Sequence, residues 1–277
     1  MRAREFAKWL EQQLADAGVA EAGAEASLIL EDLGITRLLM VTQADDPVSS
    51  SLMDQARRIL AKRRQHVPLQ HILGYQFFRK LQLTVTPDVL IPRPETEELV
   101  QLALDRAPED GRVADVGTGS GAIAISLKLE RPDLEVIASE SSDLALSLAR
   151  RNAKALGIKV SFEEGQDLEP LLSYAPLDMI VSNPPYIPQE NIQQLEPEVR
   201  DHEPLEALCP GPDPLRFYRL FAREAPRYLN PDGWLLAELE SSLAQETAAL
   251  FSGPDWQRVE LKNDLQGKPR FICAQRA

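Results

Sequence analysis

The tetrapeptide Asn183-Pro184-Pro185-Tyr186 sets two hydrogen-bond acceptors beside an aromatic ring. It follows Asp178-Met-Ile-Val-Ser182, an apolar run that reads as a buried strand, so it falls at the strand's carboxyl end, where open α/β sheets bind ligands. Each proline fixes its own φ and drives the preceding residue into extended backbone, which holds the Asn183 side chain and the Pro184 carbonyl nearly rigid. A planar –NH2 group, with two hydrogens about 120° apart, matches such a pair of acceptors, and the Tyr186 ring can cover its flat face. The chemistry in view is capture of an amino or amide nitrogen. Without a second motif the same residues would mark only a turn after a strand.

That second motif is Asp115-Val-Gly-Thr-Gly-Ser-Gly121, after another predicted strand. Gly117, Gly119 and Gly121 permit a sharp turn with backbone close to a ligand, and the helix opening at Gly121 offers N–H groups to an anionic group. Thr118 and Ser120 lie in the same loop. Gly117 to Ala122 also fits the dinucleotide pattern G-x-G-x-x-A, so a nicotinamide oxidoreductase stands beside a methyl-donor site. Asp115 weighs toward the donor, because a carboxylate is unfavourable beside a pyrophosphate and tolerable beside a sulfonium and an ammonium. Glu140, 19 residues beyond Gly121, is placed either to accept two ribose hydroxyls or to sit at a helix start.

Together the two motifs resemble the Rossmann-like methyltransferases that use S-adenosylmethionine and methylate a planar nitrogen. With Ile91-Pro-Arg-Pro-Glu-Thr-Glu97, Asn183-Pro-Pro-Tyr-Ile187 and Val199-Arg-Asp-His-Glu-Pro-Leu205, the chain resembles the HemK/PrmC family of protein-(glutamine-N5) methyltransferases, which modify peptide chain release factors. The resemblance implies a class I methyltransferase fold, with a seven-stranded, mostly parallel sheet whose last strand is antiparallel. It implies methyl transfer from S-adenosylmethionine, leaving S-adenosylhomocysteine, to the glutamine of a Gly-Gly-Gln loop in class I release factors. By the same resemblance Arg93 and Thr96 border the donor pocket, and Asp167 and Leu168 meet the adenine, Asp167 as acceptor of its amino group. Asn183, Pro184, Pro185 and Tyr186 bind the substrate, with Asn183, Pro184 and Tyr186 serving catalysis and Asn183 also bordering the donor. The family commonly has a glycine after the fifth strand, where this chain has Glu238-Leu-Glu-Ser-Ser242; the expected effect is on packing more than on chemistry. Two other classes stand beside this reading: an adenine-N6 methyltransferase, which needs the same two acceptors, and a non-catalytic adaptor.

Composition narrows the field. With 30 basic and 43 acidic residues the net charge of −13 works against direct binding to bare DNA. Residues 1–86 are nearly balanced, so the excess acid lies in the remainder and suits a basic protein partner. The opening Met1-Arg-Ala-Arg-Glu-Phe leads into an amphipathic helix, not a secretory segment, and no apolar run reaches membrane-spanning length; a cytoplasmic protein with no membrane association is expected. Cys209 and Cys273 read as reduced thiols and form no ligand cluster with His66, His71 and His202, so no metal is expected. His202 also lacks a partner motif for a nucleophilic triad.

The elements that must position the motifs follow from periodicity. Phe6, Trp9, Leu10 and Leu14, then Ala22, Ala26, Ile29, Leu30 and Leu33, mark two amphipathic helices, and a third runs from about Ser49 to Arg64. Residues 1–70 read as a helical bundle, which the resemblance assigns to partner docking. Arg57, Arg58, Lys62, Arg63 and Arg64 form a basic stripe there, either a solvated face or a partner contact. Residues 71–90 read as a linking β-hairpin turning at Arg79-Lys80, and residues 91–277 as the S-adenosylmethionine-dependent methyltransferase domain. Within it the pattern predicts strands near 112–115, 135–139, 159–163, 178–181, 233–238, 257–262 and 270–275, with helices near 121–131, 142–156, 215–229 and 242–251. The Pro- and Glu-rich connection from Ile187 to Pro214 reads as a substrate-facing flap.

Overall fold

Phe6, Leu10 and Leu14 fall on one face of α1 (Ala3–Asp16), and Ala26, Ile29 and Leu30 on one face of α2 (Ala22–Asp32). The computed structural model describes all 277 residues. After α3 (Arg37–Thr42), the Ser49 hydroxyl caps α4 (Ser50–Arg63) by accepting the Leu52 N–H at 3.3 Å. The short α5 (Leu69–Leu73) ends on Gly74, whose φ of +82° is the left-handed stop that glycine adopts without strain. Helices α1, α2, α4 and α5 share one core of Phe6, Leu10, Leu14, Ile29, Ala56, Leu60 and Leu69. Full burial of each large apolar side chain stabilises the bundle by roughly 1.5–3 kcal/mol.

Beyond the bundle come β1 (Tyr75–Phe78) and β2 (Leu81–Thr84), an antiparallel hairpin. Its turn has no Asn-Gly, and Arg79 takes the left-handed conformation itself, at φ +50°. Several bonds hold it there: its N–H donates to Glu97 Oε1 at 3.0 Å, and its guanidinium engages the Glu97 carbonyl and Glu130. Those bonds, chiefly from Arg79, pull the Glu130 carboxyl down to about 2. Pro94 then occupies the first position of α6 (Pro94–Leu104), where a missing N–H costs nothing.

The alternating portion runs β3 (Arg112–Val116), α7 (Ala122–Glu130), β4 (Glu135–Glu140), α8 (Asp143–Leu156), β5 (Ser161–Glu164), β6 (Leu177–Ser182), α9 (Pro197–His202), α10 (Leu205–Leu208), α11 (Arg216–Glu224), β7 (Leu229–Glu238), α12 (Ala244–Leu250), β8 (Trp256–Asn263) and β9 (Pro269–Arg276). The sheet order is β5-β4-β3-β6-β7-β9-β8, and only β9 runs against the direction of the other six strands. Strand residues alternate between two cores: Val113, Met179 and Val181 pack with α6 and α7, while Ala114, Ile180 and Leu235 pack with α11 and α12. This is the Rossmann-like methyltransferase architecture. No helix is long and apolar enough to cross a membrane.

Several boundaries differ from the sequence reading. β5 begins two residues later, at Ser161, and β7 begins earlier, at Leu229. The helix expected over 215–229 stops at Glu224 and tightens into a 3-10 turn over Ala225–Arg227, because Pro226 cannot continue an α-helical ladder. The connection from Ile187 to Pro214 is not a plain flap: it forms a 3-10 segment (Gln189–Gln194), α9 and α10.

The chain divides into two units, Met1–Gly74 with Pro197–His202, and Tyr75–Glu196 with Glu203–Ala277. In the first, Arg63 corrects the notion of a continuous basic stripe. Its side chain is 1% exposed and its guanidinium grips Glu25 through two bonds (2.8 and 2.9 Å), Glu198 of α9 at 2.7 Å and the Val67 carbonyl at 2.7 Å. Burial raises the Glu25 carboxyl above its ordinary range against the pull of Arg63. Arg57, by contrast, is exposed and pairs only with Asp54, one turn away. Removing one partner of a buried ion pair strands the other, so Arg63→Ala should lower unfolding free energy by about 3–5 kcal/mol. Arg57→Ala should stay within about 0.5 kcal/mol of the parent. Urea denaturation followed by circular dichroism measures both; equal effects would place Arg63 back on a solvated face.

Candidate active site

Strand order reverses between β3 and β6, and the glycine loop and the Asn-Pro-Pro-Tyr motif leave the carboxyl ends of these two strands. They line one cavity of about 680 Å³, well within the size of small-molecule sites. Gly117, Thr118, Gly119 and Ser120 form one side and Asn183, Pro184 and Pro185 another, with Arg93, Thr96, Glu140 and Asp167 also on the wall. Gly117 and Gly119 have φ of +71° and +56°, and a methyl added to either would meet no atom within 4 Å, so the loop backbone borders open space. Gly121 has a different reason to be glycine: an added methyl would strike Ile125 at 2.8 Å.

Asp115 lies beneath the loop. It is fully buried and does not line the cavity; its Oδ2 accepts the Thr118 hydroxyl at 2.6 Å and the Ala124 N–H at 3.1 Å. Its Oδ1 has no partner. Burial pushes this carboxyl up to about 7 despite the two hydrogen bonds that favour its ionised form. The contact expected of it with a ligand is thus an indirect one: it fastens the loop that borders the cavity.

Glu140, at the end of β4, accepts the Gly119 N–H at 2.9 Å through Oε2 and the Ser141 and Ser142 N–H groups at 2.8 and 3.0 Å through Oε1. The helix-start reading is what the bonds show; the carboxylate also keeps lone pairs beyond those three bonds and lines the cavity. Asp167 also reaches the cavity, from a left-handed backbone (φ +56°), and is held by Arg216 at 3.1 and 3.2 Å. Leu168 does not: at 2% exposure it belongs to the core with Leu171 and Ile180. The aromatic ring on the cavity wall is Phe217, over which the Arg216 guanidinium stacks at 4.4 Å.

At the Asn-Pro-Pro-Tyr motif, the Asn183 Nδ2 donates to Thr96 Oγ1 at 3.1 Å, and the Thr96 hydroxyl donates to Glu238 Oε2 at 2.8 Å. Tyr186 turns away from the cavity, packs against the core of α11 and β7, and donates its hydroxyl to Glu238 Oε1 at 2.9 Å. It does not cover the corner as expected, because a buried phenol hydroxyl needs an acceptor and Glu238 supplies one. Burial raises the Glu238 carboxyl, with Thr96, Tyr186 and Arg270 working against the shift, and burial beside Glu238 raises the Tyr186 phenol. The proline-rich wall is fixed by buried Glu203, which accepts from Arg93 at 2.5 Å and from the Ile91 N–H at 3.2 Å.

Two of these residues had no functional signal in the sequence, and a third had a motif but no assigned role. Glu238 reads as the last residue of an apolar strand, while Glu203 lies within the motif of residues 199–205 without a task of its own. Asn152 sits in helix α8, yet its amide bonds both backbone groups of Thr84 at 3.0 Å and the Ser120 carbonyl at 2.9 Å, tying the hairpin to the glycine loop.

The fold and site define a class I methyltransferase, and comparison with known proteins agrees. Residues 96–196 match the Methyltransferase small domain, and residues 5–74 match the PrmC N-terminal domain. A methyltransferase structure from Pyrococcus furiosus shares the fold, with a TM-score of 0.53 at 17% identity over 71% of this chain and 89% of that one. The release factor glutamine methyltransferase of Geobacter sulfurreducens is 43% identical over 97% of this chain and 95% of its own length; that of Bacillus subtilis is 39% identical over 98% and 96%. The chain belongs to the release factor glutamine methyltransferase family.

The raised Asp115 carboxyl has a consequence for stability. Its folded value, about 7, lies above the unfolded 3.8, so the folded state binds more protons between them and its stability falls as pH rises through that window. Above about 7 both states are ionised and the loss levels off. Asp115→Asn removes this component, so its unfolding free energy relative to the parent should increase from pH 4 to pH 7 and then stay constant, measured by urea denaturation at each pH. A difference independent of pH would mean that Asp115 is ionised throughout.

Proposed function

We propose that this chain transfers a methyl group from S-adenosylmethionine to the side-chain amide nitrogen of the glutamine in the Gly-Gly-Gln loop of peptide chain release factors. The observation that carries the reading is the direction of the Asn183 carboxamide. Its amino end is spent on Thr96, so Oδ1 is left as an unengaged acceptor on a residue of the cavity wall, next to Pro184. Two acceptors at one corner suit the two N–H bonds of a primary amide.

The cavity fits a donor that carries positive charge. Glu140 and Asp167 line it, and its two arginines, Arg93 and Arg216, are already paired with Glu203 and Asp167. That balance disfavours a pyrophosphate and tells against the dinucleotide reading. Gly117 and Gly119 leave room against the loop backbone, and the first turn of α7, where Ala122 and Ile123 line the cavity, has N–H groups that lack intrahelical acceptors. These groups would hold the donor's carboxylate, Glu140 its ribose hydroxyls and Asp167 its adenine amino group. When bound, S-adenosylmethionine supplies a methyl on a sulfonium, an electrophile whose leaving group is a neutral thioether.

The protein's own work is positioning and polarisation. An amide nitrogen is a weak nucleophile because its lone pair is delocalised into the carbonyl, as the roughly 18–20 kcal/mol barrier to C–N rotation reflects. Asn183 Oδ1 and the Pro184 carbonyl accept its two hydrogens, raise electron density on nitrogen and fix its orientation, the contribution that near-attack placement makes to rate. Asn183 removes no proton at neutral pH; the N-methylated cationic amide is acidic enough to lose one to water.

Radiolabel transfer from S-adenosylmethionine tests the proposal. Label should appear on purified release factor and vanish when the loop glutamine is replaced by alanine. Label on DNA in place of release factor would favour adenine-N6 methylation, and no transfer to either would favour an adaptor. Asn183→Ala should lower kcat about 100-fold or more while calorimetric affinity for the donor changes little; equal loss of both would contradict an acceptor role for Asn183.

A further inference from the structure

A carboxamide has an acceptor end and a donor end of nearly equal shape, and only one orientation of Asn183 serves the corner described above. We infer that Thr96 and Glu238 are positioning residues that hold the Asn183 carboxamide with its oxygen toward the acceptor nitrogen; the inference rests on the proposed amide methylation and adds to it two residues outside the Asn-Pro-Pro-Tyr motif. The argument counts hydrogens. The Thr96 hydroxyl has one hydrogen and gives it to Glu238 Oε2 at 2.8 Å, so toward Asn183, 3.1 Å away, Thr96 Oγ1 can only accept. The Asn183 amino end must then face Thr96. Ionised Glu238 makes the direction compulsory, because a carboxylate cannot donate, and its other oxygen is filled by the Tyr186 hydroxyl at 2.9 Å.

The arrangement is also costly, which argues that it is not incidental. Glu238 is 1% exposed and Thr96 4% exposed, and a buried carboxylate held by two neutral hydroxyls loses hydration that they only partly replace. A purely structural anchor for Tyr186 and Thr96 could be neutral.

Protonation would reverse the chain of bonds. A Glu238 acid would donate to Thr96 Oγ1, the Thr96 hydrogen would turn to Asn183 Oδ1, and the amide would present –NH2 to the cavity. The groups facing Glu238 are Thr96 and Glu95 from α6, Tyr186 from the loop after β6, Tyr218 from α11, which donates to the Glu238 carbonyl at 2.7 Å, Arg270 from β9, and Glu240 beside Tyr186. Burial raises this carboxyl and Arg270 opposes the rise. The orientation is therefore held wherever Glu238 is ionised and is lost as pH falls through its raised folded value.

The test compares full-length Thr96→Val, Thr96→Ser and Glu238→Gln with the parent, after urea denaturation shows each is folded at the assay temperature. Thr96→Val keeps the shape and removes the hydroxyl; kcat should fall about 10-fold or more while donor affinity by calorimetry changes little. Thr96→Ser restores the hydroxyl and should return kcat to within about twofold of the parent. In Glu238→Gln the side chain can donate to Thr96, so kcat should fall, and the acid limb of the parent's pH profile should disappear. A readout independent of turnover is hydrogen exchange at the Asn183 side-chain –NH2, followed by nuclear magnetic resonance, which should accelerate in Thr96→Val. The inference is overturned if Thr96→Val matches the parent in kcat and exchange, if Thr96→Ser is as impaired as Thr96→Val, or if Glu238→Gln retains the acid limb. Failure of the parent to label release factor would instead overturn the proposed function.

Discussion

The pairing register of β3 and β6 is the constraint on which the site depends. Val116 lies opposite Ser182, and the Ser182 hydroxyl donates to the Val116 carbonyl at 2.8 Å, so the two strands end together. The next residue on one strand is Gly117 and on the other is Asn183. A slip of one residue would turn Met179 and Val181 out of one core and Ile180 out of the other. It would also move the acceptor motif about 3.3 Å along the sheet relative to the glycine loop. The hydrophobic pattern that buries these strands on both faces is thus the same feature that sets the Asn-Pro-Pro-Tyr motif beside the glycine loop.

Each of the two loops stands on a buried acid and a threonine. Under the glycine loop, Asp115 accepts from Thr118; under the Asn-Pro-Pro-Tyr loop, Glu238 accepts from Thr96. When ionised, a carboxyl accepts without donating, so it imposes a direction on every hydroxyl that meets it, and a directed hydroxyl imposes one on the next group. Both acids carry raised carboxyl values because burial opposes ionisation. An apolar core at these positions would be more stable, but it would leave the loops free to choose among hydrogen-bond patterns. Loss of stability at a site in return for a single geometry is the usual way local rules are broken in a functional protein.

The sequence revealed the elements that depend on local chemistry. Alternating apolar runs gave the order of strands and helices, the glycine spacing gave the first loop, and Asn183-Pro184-Pro185 gave the second, since proline stiffness and glycine freedom belong to the residues themselves. It did not reveal partners brought together by topology. Glu238 and Thr96 are 142 residues apart and Arg63 and Glu198 are 135 apart, and neither pair has a local signature. Arg63 looked like one cation in a solvated stripe because its neighbours in sequence are cations; only tertiary structure turns it inward onto Glu25 and α9. Tyr186 was misread for a related reason: an aromatic beside a motif suggests a lid, whereas its hydroxyl is drawn to a carboxylate contributed by a distant strand.

The corner's polarity bears on selection as well as rate. Two acceptors favour a primary amide, yet they disfavour more strongly the side chain closest to it in shape. A glutamate presented to Asn183 Oδ1 and the Pro184 carbonyl would put carboxylate oxygens against acceptor oxygens, with no hydrogen between them and repulsion in a partly desolvated site. A secondary amide, the product of one transfer, has a single N–H left and would leave one acceptor unpaired at a cost of about 1–3 kcal/mol. In the proposed reaction, the same fixed direction of Asn183 that would ready glutamine would weaken the hold on its methylated form and on its deamidated counterpart. A freely rotating carboxamide, able to offer –NH2 instead, would reject neither, and so the inferred positioning by the hydroxyl and the buried acid behind Asn183 would serve discrimination through the same bonds by which it would serve catalysis.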